Sequence, residues 1–264
     1  MGLKLLAIDL DGTTLNSQGE ISDVNKAHLQ QIVAGGVQLV VATGRSVHSA
    51  SFFLEKMAVK EAYIVALNGA AVFKWGDLNP LMTIKMPVTL VEQVVANGDL
   101  QQVNTYLSTD MSSYILVRDE SLLTMFAKNG ELTTIETLAN LGDDQAKVSK
   151  MLYCTKNPAI LAELVAKTKD LPVAAVKPDE MCLEITAQAT SKAKGLQFLG
   201  KRLNILPEEM AAIGDSENDF EMLKYVGNGI VMANGMPHIK AIADYVTLSN
   251  DQDGVAHAIN YLLH

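Results

Sequence analysis

The chain is short of cysteine, of positive charge and of long apolar runs, and each shortage narrows what it can be. Only Cys154 and Cys182 occur in 264 residues. They lack metal-site spacing, so two buried or half-buried thiols are expected rather than a disulfide framework. Lys and Arg number 21 against 30 Asp and Glu, for a net charge of −9. A protein that follows a nucleic-acid backbone needs a basic face, so that partner is set aside. A small phosphorylated substrate stays open, because a metal supplies positive charge locally. No stretch approaches the ~20 apolar residues that cross a bilayer. No basic segment leads an apolar one in the manner of a secretory leader. A soluble, cytoplasmic protein with no membrane partner is expected. There is also no low-complexity tract and no repeat of fixed period.

What is present is an ordinary globular balance, 48% hydrophobic and 19% charged, in a length that suits one large domain or two modest ones. One stretch stands out. Leu3-Lys4-Leu5-Leu6-Ala7 has the length of a buried strand, and Ile8-Asp9-Leu10-Asp11-Gly12-Thr13-Thr14-Leu15 follows it. Two carboxylates one residue apart therefore stand where a core strand stops. In an open α/β sheet ligands bind at that end. Charge beside a core is costly unless paired, and a cation between Asp9 and Asp11 would meet that need.

The remaining chain reads in three parts. Ser22 caps a helix over 25–33 that Gly35-Gly36 ends. A strand at 37–42 runs into Thr43-Gly44-Arg45-Ser46. A helix at 49–57 leads to a strand at 62–67, closed by Asn68-Gly69. This rhythm implies parallel strands with right-handed crossovers. It changes near Phe73. Residues 84–186 read as a separate α+β unit. That unit has a helix at 89–96 and a hairpin of 103–108 with 114–117 around Asp110-Met111-Ser112. A helix at 121–128, a strand at 149–155 and a helix at 158–169 follow. Strands at 173–176 and 181–185 close it. The α/β rhythm returns with a helix at 194–203 and a strand at 210–213. Gly214-Asp215-Ser216-Glu217-Asn218-Asp219 then opens a helix at 220–225. Strands at 229–232 and 245–247 and a helix from Asp253 finish the chain. The expected class is α/β, a Rossmann-like parallel-sheet core made of 1–83 and 187–264 and interrupted by the α+β unit.

Four polar clusters carry the chemistry: Asp9 with Asp11, Thr43-Gly44-Arg45, Ser191-Lys192, and Asp215 through Asp219. If the strands are parallel, the three clusters that follow strands converge on one sheet edge. Two acidic clusters there suit a hard divalent ion such as Mg²⁺. Thr43 and the amides after it suit an anion. Lys192 gives a compact charge for a phosphate oxygen, with Lys194 as a rival that more naturally faces solvent. Together these groups describe phosphoryl transfer, which is largely positioning and charge neutralisation. Either Asp9 or Asp11 could attack phosphorus while the other moves the proton, and spacing leaves the assignment open. Taken singly, each cluster has a plainer reading. Asp215–Asp219 could be a helix cap with an acidic first turn. The first loop could be a calcium loop, but Thr14 occupies the position that an EF-hand gives to glycine, although Glu20 falls at the twelfth.

Asp9-Leu10-Asp11-Gly12-Thr13-Thr14, Thr43-Gly44-Arg45, Lys192 and Gly214 through Asp219 resemble the haloacid dehalogenase superfamily of phosphotransferases. Asn68-Gly69-Ala70 and 249–256 are similar to its Cof-type sugar-phosphatase branch, which carries a large inserted cap. The resemblance covers both core segments and implies a Mg²⁺-dependent phosphatase of small phosphorylated metabolites, with 84–186 as the cap that selects substrate. It implies that Asp9 is the nucleophile and a Mg²⁺ ligand. Asp11 would be the general acid/base and give its backbone carbonyl to the metal, and Asp215 would be the third ligand. Thr43, Gly44, Lys192, Asn218 and the Leu10 amide would hold the phosphoryl group, and Asp219 would support the metal indirectly. Two positions depart from the pattern, Ala193 where glycine is usual and Gly235 where alanine is usual. A phosphomutase on the same scaffold, or a phosphometabolite-binding regulator without turnover, would use the same residues. In the 84–186 unit the polar candidates are Tyr106, Tyr114, Arg118 and Glu184. Monomer and dimer both fit this pattern.

Overall fold

The computed structural model describes residues 2–77, 79–125, 132–177 and 179–264. The chain divides into two compact units, one of Met1–Arg45, Ala50–Met82 and Ser191–His264, the other of Ser46–Ser49 and Thr83–Thr190.

The first unit starts with β1 (Leu5–Ile8), α1 (Asp23–Ala34), β2 (Gln38–Ala42), α2 (Val47–Met57), β3 (Tyr63–Ala66), β4 (Ala71–Lys74) and β5 (Met82–Thr83). The second unit carries α3 (Val88–Gly98), β6 (Asn104–Ser108), β7 (Ser113–Leu116), β8 (Leu132–Ile135), β9 (Lys150–Cys154), α4 (Pro158–Thr168), β10 (Val173–Val176) and β11 (Cys182–Ala187). The first unit resumes with α5 (Lys192–Leu203), β12 (Met210–Gly214), α6 (Phe220–Tyr225), β13 (Asn228–Val231), α7 (Pro237–Lys240), β14 (Tyr245–Val246) and α8 (Gly254–Leu263).

Eight strands form the first sheet in the order β14-β13-β12-β1-β2-β3-β4-β5. From β14 to β3 every pairing is parallel. Parallel strands are covered on both faces, which is why Leu5–Ile8 and Met210–Gly214 read as unbroken apolar runs and are fully buried. Caps locate the helices. The Ser22 side chain accepts from Asn25 N and Gly35 closes α1. Ser191 caps α5, so that helix begins at Lys192, two residues before the expected start. The order matters for function. From β1 the chain moves outward to β2 and β3 on one side, and the returning segment adds β12, β13 and β14 on the other. The loop after β1 therefore lies at the point where the strand order reverses, where open α/β sheets bind ligands.

The second unit is a six-stranded sheet, β10-β11-β9-β6-β7-β8, antiparallel except for β7 with β8. The hairpin of β6 and β7 is present as expected. Alternation sorts its side chains. One face packs Leu107, Leu116, Met151, Tyr153, Leu183 and Ile185 against Leu90, Val94, Leu161 and Leu164 of α3 and α4. The other face holds Tyr106, Ile115, Leu152, Cys154 and Cys182, with Leu123 of a 3₁₀ turn (Glu120–Met125) against them. The helix expected at 121–128 is that turn as far as Met125, and 126–128 lie outside the described residues.

The cysteines correct the reading of the sequence. Cys154 and Cys182 are paired as a disulfide. Antiparallel β9 and β11 set them directly opposite each other with Cα atoms 4.4 Å apart, both fully buried. A separation of 28 residues gave no hint of this, because only strand pairing creates the contact. Strands β4, β5 and β8 were also not anticipated. Among the described residues no helix is long and apolar enough to cross a membrane.

Candidate active site

Strand ends bring the clusters together. Asp9 follows β1, Thr43-Gly44-Arg45 follows β2, and Asp215 follows β12, the parallel neighbour of β1. Asp9 is 4% exposed, and Asp219 and Lys192 are fully buried. The Lys192 ammonium donates to Asp9 Oδ1 and to Asp219 Oδ1, at 2.6 Å each. Lys194, one helical step further, is exposed, which removes it as the rival. Asp219 Oδ2 accepts from the amides of Asp215 (3.0 Å) and Ser216 (3.1 Å). Asp219 is thereby committed through both oxygens, and it anchors Lys192 and the loop that carries Asp215. The Thr13 hydroxyl donates to Asp215 Oδ1 at 2.8 Å, and the Thr14 hydroxyl donates to the Asp9 carbonyl at 2.5 Å.

Carboxylate oxygens of Asp9, Asp215 and Asp219 lie within 4.8 Å of one another. Such crowding shifts the acidities of Asp9 and Asp215. Burial pushes the Asp9 carboxyl well above its ordinary value, Lys192 opposes the shift, and Asp219 and Asp215 add to it. Burial, with Asp219 next, pushes Asp215 up to about 6. Burial alone would lower Lys192, but Asp219 and Asp9 outweigh it and hold the ammonium above its ordinary value. One ammonium thus faces three carboxylates. This oxygen-only set short of positive charge fits a hard divalent ion held by Asp9 and Asp215, with Asp219 already committed to Lys192 and the loop amides. Such an ion would reverse the shifts on Asp9 and Asp215.

Asp11 is placed differently. Its side chain is 59% exposed and takes a two-pronged ion pair from Arg45, Nε to Oδ2 at 2.7 Å and Nη2 to Oδ1 at 2.6 Å. The hydrogen bonds it donates to Asp11 raise Arg45 above its ordinary value. The Arg45 guanidinium also stands 5.1 Å from the centre of the Phe53 ring. The metal-type cluster therefore gathers Asp9, Asp215 and Asp219, while the Asp11 carboxylate pairs outward. Thr43 is fully buried, and its hydroxyl accepts from Arg45 N at 3.2 Å. Asn218 donates from Nδ2 to Asn68 Oδ1 at 3.1 Å and accepts from the Ser216 hydroxyl at 2.9 Å. Leu10 is fully buried in the turn after Asp9 and accepts from the amides of Thr13 and Leu15.

Several supports were not singled out from the sequence. Asn234 donates to the Gly12 carbonyl (2.7 Å) and accepts from Asn250 N (3.0 Å), and Asn250 donates to the Leu15 carbonyl (2.9 Å). Two asparagines from distant segments so hold the loop that carries Asp11. Gly235, one of the two departures, leaves no room for a side chain. A Cβ there would stand 2.8 Å from Val231 Cγ1 and 3.0 Å from the Asp215 carbonyl. The other departure, Ala193, is simply buried.

Residues 6–259 match the model of the haloacid dehalogenase-like hydrolases. The chain belongs to that family. A 5-amino-6-(5-phospho-D-ribitylamino)uracil phosphatase of Bacillus subtilis is 32% identical, over 96% of this chain and 94% of its own. A putative phosphatase of Streptococcus pyogenes is 31% identical over 98% of each chain. The solved structure of a haloacid dehalogenase-like hydrolase from B. subtilis matches with a TM-score of 0.89 at 26% identity, over 98% of this chain and all of that one. With phosphatases as relatives along its whole length, the chain is a hydrolase of the phosphatase type.

Proposed function

We propose that this chain is a Mg²⁺-dependent phosphatase of small phosphorylated metabolites, sugar or polyol phosphates in particular, acting through a phospho-Asp9 intermediate. The observation that carries the reading is the place of Asp9, buried at the end of the central strand and held by Lys192 beside Asp215 and Asp219.

In this reading an oxygen of Asp9 attacks phosphorus and the ester P–O bond breaks. Asp11, released from Arg45 and protonated as substrate enters, gives its proton to the leaving oxygen. Asp11 then removes a proton from water, the hydroxide attacks the phosphoryl group, and the bond from phosphorus to Asp9 breaks to release inorganic phosphate. The contrast in exposure supports this division. The buried Asp9 is fixed for attack, and the exposed Asp11 can meet the leaving group and water. Lys192, Thr43, Asn218 and the backbone at Leu10 and Gly44 hold the phosphoryl oxygens. Asp9, Asp215 and the backbone carbonyl of Asp11 would hold Mg²⁺, with Asp219 steadying Asp215 and Lys192. Once bound, the ion neutralises charge on the phosphoryl oxygens.

Residues 84–186 would select the substrate. The side chains that suit this are those on the sheet face opposite α3 and α4, where Lys150 and Glu184 pair at 2.6 Å near Tyr106. The B. subtilis relative is named for a phosphoribityl compound, which supports a polyol phosphate here.

The test is phosphate release from a panel of sugar, polyol, nucleotide and cofactor phosphates with Mg²⁺. Asp9→Asn should lose turnover by more than about a thousandfold, the usual cost of removing a nucleophile, with its fold intact by circular dichroism. Full activity in that variant would refute the assignment. Transfer of the phosphoryl group back to sugar would assign a mutase instead.

A further inference from the structure

We infer that Asn68 is a positioning residue for phosphoryl binding, one that aims the amide of Asn218 from a turn that touches three of the four polar clusters. The inference rests on the phosphatase reading for the role of Asn218. It stands on two features of the segment after β3.

The first is backbone conformation. Leu67 (φ +51°), Asn68 (φ +54°) and Gly69 (φ +96°) are three consecutive residues in the left-handed region. A side chain is penalised there, and a leucine more than an asparagine. Such a run persists only where its surroundings impose it. Leu67 N donates to the Arg45 carbonyl and Asn68 N to the Thr43 carbonyl, at 3.0 Å each, on either side of Gly44. Gly69 meets the segment before Lys192 so closely that a Cβ would stand 1.9 Å from the Ser191 carbonyl oxygen. The turn is thus clamped between the Thr43 loop and the start of α5.

The second is what the turn presents. Asn68 is 8% exposed, and its side-chain oxygen accepts from Asn218 Nδ2 at 3.1 Å. The oxygen of Asn218 is already taken by the Ser216 hydroxyl. Both ends of the Asn218 amide are therefore oriented, one within its own loop and one by a residue 150 positions away. A rotatable amide becomes a fixed donor, which is what binding a phosphoryl oxygen requires.

Asn68→Gly tests this cleanly. Glycine accepts the left-handed backbone without penalty, which offsets its greater freedom in the unfolded chain, so the variant should fold with a Tm near the parent's while the guiding oxygen is gone. The probe is inorganic phosphate, titrated by calorimetry in the presence of Mg²⁺, with hydrolysis of p-nitrophenyl phosphate measured alongside. Phosphate affinity and kcat/KM should each fall about fivefold to tenfold, the scale of one oriented hydrogen bond. In an Asn218→Ala background the same change should have almost no further effect, because Asn68 acts through Asn218. Parental phosphate affinity in Asn68→Gly, or additive effects in the double variant, would overturn the inference. A parent that binds phosphate but hydrolyses no ester would overturn the phosphatase reading alone. A parent that does not bind phosphate would overturn both.

Discussion

Lys192 is the residue on which the site's electrostatics turn. It is fully buried and touches two carboxylates, Asp9 and Asp219. Removing one member of such a group leaves uncompensated charge in the interior. Lys192→Met should therefore destabilise the protein by about 3–5 kcal/mol, read from urea unfolding without metal. Adding Asp219→Asn should recover part of that loss, since one of the stranded carboxylates is then neutral. A Lys192→Met protein as stable as the parent would show that the ammonium does not balance the cluster. At the same scale, Gly69→Ala combines a left-handed φ with a clash against the Ser191 carbonyl. It should cost about 2 kcal/mol or more, as backbone incompatibility usually does. Asp9, Asp215 and Lys192 were legible from residue type and order alone. The sequence leaves Arg45 between substrate and a neighbouring carboxylate, and the clamped turn at Asn68 is not legible in it. The first depends on which way a long side chain folds, and the second on a left-handed run that begins at Leu67, a residue type that does not announce it.

At the scale of elements, strand register in the second unit separates side chains that read alike in sequence. Of the four polar candidates there, Tyr114 and Arg118 belong to the helix-covered side. Tyr114 donates to Asp144, and Arg118 pairs with Asp99 at the end of α3. Tyr106 and Glu184 point to the other face. Glu184→Gln should thus reorder preference among phosphorylated substrates while leaving inhibition by inorganic phosphate unchanged. Tyr114→Phe should change neither. It should instead alter stability with pH. The hydrogen bond from Lys147, then that from Tyr114, holds the Asp144 carboxyl below its ordinary value. A lowered carboxyl stabilises the fold above its unfolded value, and that contribution fades as pH falls through the folded one. Tyr114→Phe should therefore weaken the protein at neutral pH and flatten its loss of stability towards pH 3. Equal acid profiles for the two proteins, followed by thermal melts, would exclude the coupling.

At the scale of the molecule, the metal prediction joins folding to function. Asp9 and Asp215 are forced together at a cost, so an ion that binds only the folded cluster should stabilise it by mass action. Saturation a hundredfold above Kd is worth about 2.7 kcal/mol. Mg²⁺ should raise Tm and support turnover, EDTA should reverse both, and Asp215→Asn should abolish the Tm response. A Tm indifferent to Mg²⁺ would remove the ion from this site. The parallel core could be read in advance, because strands covered on both faces appear as unbroken apolar runs with polar residues at their ends. The short strands β5 and β8 lack such runs and surfaced only in the pairing, and the buried run Ala71-Val72-Phe73 of β4 lies too close behind β3 to stand apart from it in the sequence. By itself the sequence determined which chemistry is available: carboxylates and amides placed after apolar strands, and a lysine at a helix start, the groups that phosphoryl transfer uses. Tertiary structure alone decided which of them meet. Contact between residues as far apart as Asp9 and Lys192, Asn68 and Asn218, or Cys154 and Cys182 is made by strand order, register and turn conformation, and these take shape only when the sheets assemble.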